Sequence, residues 1–194
     1  LLPPLPYGVS MFHTDPPGGI RIPPHTYEKF VIAIIESMID HGFTMFFLFS
    51  GHGGNSSSVT NIQKIVNDRH CEKHVCVGTT QLYLSGDAGK AALKNVGFTE
   101  GVRHACEIET SLMLATNPKS VRHERIADDP GRIRGKNFHP FDGGTLQLYL
   151  SINAESMNGV YGEPSKATAE IGRELLAAAA KEIADYIQEM VVIV

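Results

Sequence analysis

The stretch Phe43-Thr44-Met45-Phe46-Phe47-Leu48-Phe49-Ser50-Gly51-His52-Gly53-Gly54-Asn55 decides the fold. A continuous apolar run stops at Ser-Gly-His-Gly-Gly-Asn, and a segment of helical periodicity follows. An apolar run of this length reads as a strand buried on both faces, the pattern of a parallel sheet. In open α/β sheets ligands gather outside the carboxyl ends of the strands. His52 is therefore delivered to a functional address on a loop almost bare of side chains, where glycine lets other groups approach closely. The plainer reading, a loop histidine bonded to backbone, is the weaker one here.

Working outward, Phe30, Val31, Ile34, Ile35, Met38 and Ile39 repeat at helical spacing and predict a helix over 27–41, with Thr26 as N-cap and Gly42 as its stop. Ser56–Arg69 predicts a second helix, 74–84 a β-rich segment, and Asp87–Asn95 a short helix closed by Gly97. His104–Thr116 predicts a stronger helix ahead of Pro118. Residues 119–143 read as a polar excursion with a strand or two, and 145–150 as a strand. Pro164 opens a final helix, roughly 165–190, whose expected buried stripe is Leu175, Leu176, Ala179, Ile183, Tyr186 and Ile187. Helices alternating with apolar strands predict an α/β fold with a largely parallel sheet.

With 194 residues and 42% hydrophobic content the chain suits one domain with a substantial core. A net charge of −4, without a basic run, argues against nucleic acid or an anionic membrane as partner. No apolar stretch reaches the ~18 residues of a membrane span. Three cysteines, Cys71, Cys76 and Cys106, fit reduced thiols and a cytoplasmic protein rather than a disulfide framework. The opening Leu1-Leu2-Pro3-Pro4-Leu5-Pro6-Tyr7-Gly8 lacks an initiator Met, so a preceding strand is expected to be missing from the chain.

A second cluster, Arg103-His104-Ala105-Cys106-Glu107-Ile108-Glu109-Thr110-Ser111, carries further chemistry. Glu109 adjoins the apolar stripe of its helix, where a carboxylate is costly unless paired or metal-bound. A partner in Arg103 or a backbone amide would explain it equally well. Glu107 reads as solvent-facing or as a first-turn dipole partner. His52 and Glu109 together supply an imidazole and a carboxylate, donors suited to zinc or manganese. His104 is left as a proton donor or acceptor near neutral pH. That combination outlines metal-assisted hydrolysis, in which a metal acidifies a bound water.

Other candidates are weaker. His70-Cys71-Glu72-Lys73-His74-Val75-Cys76 has metal-like composition, but its spacing does not suit a structural zinc site. Gly86-Asp87-Ala88-Gly89-Lys90 lacks the phosphate-loop pattern. His13 and Asp15 could touch substrate or merely order their loop.

Gly51-His52-Gly53-Gly54-Asn55 resembles the N-G-H-G-G-N signature of the creatininase (creatinine amidohydrolase) family. Pro6-Tyr7-Gly8 with Pro17-Gly18-Gly19-Ile20 is similar to that family's loop before its first crossover helix. His104 to Leu114 resembles its H-A-G-x-x-E-T-S block. Gly159-Val160-Tyr161-Gly162-Glu163-Pro164, with Ala167-Thr168-Ala169, resembles its C-terminal G-V-x-G-x-P…A-T segment. The resemblance implies a three-layer α-β-α sandwich and a hydrolase of C–N bonds, amide or cyclic amide, in small molecules. It implies a divalent metal, zinc or manganese with iron also allowed, as one or two ions. It further implies a homo-oligomer, often a hexamer. By position, His52 and Glu109 correspond to metal ligands and His104 to the proton-transferring histidine. Gly53, Gly54, Asn55 and His13 stand as substrate-binding or loop positions, with the two glycines leaving room for a substrate.

The family's E-x-H-G…H-L-P…D ligand block has no counterpart before residue 52. Truncation would explain that; so would a non-catalytic assembly or binding subunit without its metal site. The chain has no Trp, and Gly54 stands where creatinine-hydrolysing members carry a glutamate. Creatinine is thus disfavoured as substrate. Members of the G-H-G-G-N type include formamide hydrolases, a peptide-cleaving maturase and a hydrolase of oxidised inositols, so a non-amide ring is the alternative substrate.

Overall fold

The structure is a computed structural model that describes residues 1–11, 13, 18–80, 83–98, 103–132, 135–137, 145–146, 148 and 150–194. Its helices and parallel strands make it an α/β protein. The chain divides into two compact units, one of 1–11, 18–83 and 184–194, the other of 12–17 and 84–183.

In the first unit, helix α1 (Pro24–Asp40) leads into strand β1 (Met45–Phe49), helix α2 (Ser56–Arg69) and strand β2 (Cys76–Thr80). The helix starts ahead of the expected Thr26 cap because two prolines preset it. Pro23 is the N-cap, Pro24 fits the first helical position, and the Pro23 carbonyl accepts the N–H groups of Thr26 and Tyr27. At the far end Gly42 takes φ 88°, and its N–H reaches the Ile39 carbonyl, as the sequence predicts.

The strands pair in parallel, Met45 opposite Cys76 through Phe49 opposite Thr80, with α2 as the crossover. Alternation along β1 then sorts its side chains. Phe46 and Leu48 pack on a core of Val31, Ile32, Ile35, Ile39, Ile62, Val66, Val75 and Val77 from α1, α2 and β2. The opposite face receives the end of helix α6 (Ala169–Ile193), where the Met190 sulfur lies beside Gly78 and near Phe47. Helix, sheet and helix thus form three layers. Asn67, on α2, accepts the Val77 N–H at 2.8 Å and donates to its carbonyl at 3.3 Å, tying crossover to strand.

The second unit holds helices α3 (Asp87–Asn95), α4 (Glu107–Thr116) and α5 (Ile152–Glu155), with the first part of α6. Its buried interior includes Ile108, Leu175, Ser111 and Tyr161, each at 0% exposure. The Ser111 hydroxyl donates to the Glu107 carbonyl and accepts the Thr168 N–H. The α3 N-terminus is occupied from within, because the buried Glu182 carboxylate accepts the Gly89 N–H at 3.0 Å. That contact explains the phosphate-like Gly86–Lys90 run without a phosphate.

Several expectations need adjustment. The helix predicted from His104 begins only at Glu107, because His104 pairs with Tyr161 as an antiparallel bridge. Buried positions of α6 are Gly172, Leu175 and Glu182, while Leu176 and Ile187 are exposed. Among the described residues 119–143 hold no strand, only short 3-10 turns at Pro118–Ser120 and His123–Arg125 and an isolated bridge at Asp129. Residues 147 and 149 of the predicted 145–150 strand lie outside the described residues, as does Asp15.

Ile62 is fully buried in the α1–α2–β2 core. Ile62→Ala should lower stability by about 2–5 kcal/mol, the range for an emptied core position, measured by denaturant unfolding.

Candidate functional site

His52 follows β1 by three residues and stands just before a 3-10 turn at Gly53–Asn55. The buried Ser50 hydroxyl donates to the His52 carbonyl at 2.9 Å and accepts its N–H at 3.3 Å, fixing the backbone. The ring rests against Gly54. A Cβ there would collide with the Val9 carbonyl and lie 2.7 Å from His52 Cε1. Gly54 therefore makes room for the histidine itself, whereas a side chain on Gly53 would meet nothing within 4 Å. Asn55 has a local duty: its Oδ1 accepts the Val9 N–H at 2.8 Å and holds residues 8–9 over the glycine loop.

His104, Glu109 and His13 belong to the other unit. His104 is locked between strands of backbone: the Tyr161 N–H donates to its carbonyl at 2.7 Å, and its own N–H reaches the Tyr161 carbonyl at 3.4 Å. Ala105 next takes φ 48°, a left-handed conformation uncommon outside glycine, and its N–H donates to Glu109 Oε2. Glu109 is the third residue of α4, from which a carboxylate reaches back to cap the helix start. Burial pushes its carboxyl above the ordinary range, and the Ala105 and Cys106 N–H groups offset only part of that. Among the described residues no cationic side chain pairs with it.

Arg103 goes to Glu107 instead. The two side chains are 6% and 5% exposed, with Nη2 and Oε1 3.3 Å apart, and Glu107 Oε2 also accepts the Glu163 N–H at 2.8 Å. Glu107 is thus an internal ion-pair partner in the first turn of α4, so of its two expected places the one in solvent is wrong and the first-turn one stands. The Arg103 guanidinium lies 5.7 Å from the Tyr161 ring centroid, and the ring lies where a Gly131 side chain would begin. Asp129, missed by the sequence reading, pairs its backbone with Gly162 and accepts from Gly131 N, Ser156 Oγ and Met157 N. Burial pulls the Asp129 carboxyl upward, but those donors and the charge of Arg132 outweigh it and hold it below its usual range.

His13 Nε2 lies 3.2 Å from His104 Nε2, with ring centroids 4.6 Å apart. His13 is therefore beside the proton-transfer candidate, and burial lowers its pKa. Its sequence signal was only its place in a Pro- and Gly-rich loop.

Taken each within its own unit, a half-buried carboxylate that meets no cationic side chain among the described residues (Glu109) and an imidazole seated at a strand end (His52) are donor types that suit a zinc or manganese ion. Among the described residues no three His, Cys, Asp or Glu side chains gather as a metal-holding group, including around Cys71 and Cys76.

Two variants probe these supports. Gly54→Ala should displace the His52 ring and destabilise the loop by about 1–3 kcal/mol, the cost of overpacking, visible as a shifted His52 NMR resonance. Asp129→Ala removes hydrogen bonds to a charged acceptor, each about 1.5–3 kcal/mol, and should lower stability at pH 7. Because the folded pKa is depressed, that stabilisation is present above about 3.9 and lost as pH falls through the folded value. Urea midpoints of wild type and variant should therefore converge in acid.

A model of the creatininase family, described as creatinine amidohydrolase, matches residues 1–187. No curated protein matches the chain. A solved creatinine amidohydrolase (creatininase) is 23% identical, with a TM-score of 0.76 over 97% of this chain and 74% of that one. A candidate creatinine amidohydrolase from Bacteroides fragilis NCTC 9343 is 19% identical, with a TM-score of 0.75 over 97% of this chain and 71% of that one. A creatininase described as the Mn form is 23% identical, with a TM-score of 0.73 over 95% of this chain and 72% of that one. At these identities the structural likeness establishes the fold.

Proposed function

The chain belongs to the creatininase family, and from that premise we propose that it is a metal-dependent hydrolase of a C–N bond, amide or cyclic amide, in a small molecule. The observation that carries the reading is the seating of His104, an imidazole fixed by backbone pairing at the mouth of a helix whose third residue is a half-buried carboxylate. His52 and Glu109 are the proposed metal ligands. The Mn form among its structural neighbours supports a divalent ion, zinc or manganese. Such an ion supplies acidification of water and polarisation of a carbonyl oxygen.

The remaining work falls to the chain. His104 accepts the proton released as water attacks the carbonyl carbon, then delivers it to the leaving nitrogen, returning to its starting state. Its bridge to Tyr161 fixes the backbone from which the imidazole extends, and the Arg103–Glu107 pair stiffens the turn behind it. Glu109, anchored by the Ala105 N–H, keeps further lone pairs for a cation. Gly53, open on its side-chain side, is a proposed substrate-facing position. Exposed apolar side chains such as Phe43, Phe49, Ile187 and Val191 support self-association, with a hexamer expected on sedimentation.

Elemental analysis of the purified protein should find zinc or manganese, and His52→Ala should lower that content. His104→Ala should cut the release of amine from small formamides and lactams by about 10²–10⁴-fold while leaving the metal in place. The absence of a three-donor group among the described residues favours one other reading, a binding subunit. A protein without metal and without hydrolysis would establish that reading and overturn the enzyme.

A further inference from the structure

We propose that His13 is a positioning residue that acts through His104, the two imidazoles forming one proton-holding unit. The proposal rests on His104 as the proton shuttle. The pair lies within one compact unit, although the residues are 91 positions apart in sequence. The two facing atoms are the same ring nitrogen, Nε2, at 3.2 Å. One must carry a hydrogen and the other a lone pair, since two N–H groups or two lone pairs would repel at that distance.

That restriction couples the protonation states. With His104 Nε2–H donating to His13, the His104 Nδ1 holds a lone pair and is the base. When Nδ1 takes the proton from the attacking water, the resulting imidazolium keeps its Nε2–H on His13, a charge-assisted bond stronger than the neutral one. The same Nδ1 proton then passes to the leaving nitrogen, and the Nε2 hydrogen never moves. His13 thus selects the tautomer and steadies the cation, the role of the third group behind a catalytic base. A second proton would set two N–H groups against each other, so the pair resists double charge.

Around the pair, Arg103 meets Glu107, Glu109 faces the Ala105 N–H, and Tyr161 pairs with the His104 backbone. Partial burial, which lowers the His13 pKa, favours its neutral, accepting form.

NMR titration of the histidine ring resonances in the intact chain tests this directly. In wild type the two rings should report shared steps separated by more than about one pH unit. In His13→Phe, which keeps a ring without nitrogen, His104 should titrate in a single step. The reciprocal His104→Gln should do the same for His13 and covers the case in which the first variant does not fold. An Nδ1-protonated neutral His104 in wild type, or a His104 curve unchanged in His13→Phe, overturns the proposal. Coupled titration in a protein that neither binds metal nor hydrolyses amides would remove the hydrolase reading and leave the pair standing. Uncoupled rings in an active enzyme would remove the pair alone.

Discussion

A parallel strand pair needs cover on both faces, and the first unit follows from that need. β1 and β2 are short, and their ladder alone stabilises little. What fixes them is the alternation that sends Phe46 and Leu48 toward α1 and α2 while Phe47 faces the last turns of α6. A slip of one residue would invert that assignment and put the core side chains against the wrong helix. The register places the end of β1 where Ser50 grips the backbone of His52. The histidine's position is therefore set by apolar packing many residues away, and the polar contacts at the loop only complete it.

The second unit is organised by polar contacts to an unusual degree. Arg103, Glu107, Asp129, Ser156 and Tyr161 are interior or nearly so, and they converge on the two backbone bridges that hold His104 and Gly162. Buried ion pairs are weak sources of net stability but expensive to break singly. This one holds a turn in a single geometry, as the proton transfer proposed for His104 requires. The two carboxylates that open α4 thus divide: Glu107 builds the frame with Arg103, while Glu109, two positions on, is the proposed metal ligand.

The helices α2 and α3 run over the bounds their periodicity predicts, because in both the apolar spacing, the flanking glycines and the burial agree. The strand was legible in the dense apolar run 43–49, but the burial expected of it is only partial, since Phe46, Phe47 and Leu48 are half-buried and Met45 and Phe49 are exposed. The start of α1 was misread because proline at the first position outranked a threonine cap. The assignment of Glu107 and Glu109 was harder. Two residues apart on a helix, both lie near the interior, and only the return of 161–163 decides which one meets Arg103. A sequence window cannot contain that return. Of the α6 stripe, Leu175 is buried and Leu176 and Ile187 are exposed; the inner face also includes Glu182, whose partner is a backbone N–H of α3, a position hydrophobicity alone does not mark. His52 and His104 stand out in the sequence as candidates, while the buried Asp129 is hidden in a run of turn residues.

Gly54 has a wider meaning for how such proteins diverge. Its missing side chain is filled from two directions, by the ring of His52 and by the carbonyl of Val9, which Asn55 clamps in place. The resemblance sets a glutamate of the creatinine-hydrolysing members at this position. That carboxylate could not simply be grafted here: its first carbon would collide with the histidine it is meant to accompany. Any side chain at this position therefore requires the Val9 carbonyl and the His52 ring to give way together, and the Asn55 clamp on Val9 ties that movement to the rest of the loop. A difference that reads as one letter in the sequence thus involves four residues in three dimensions.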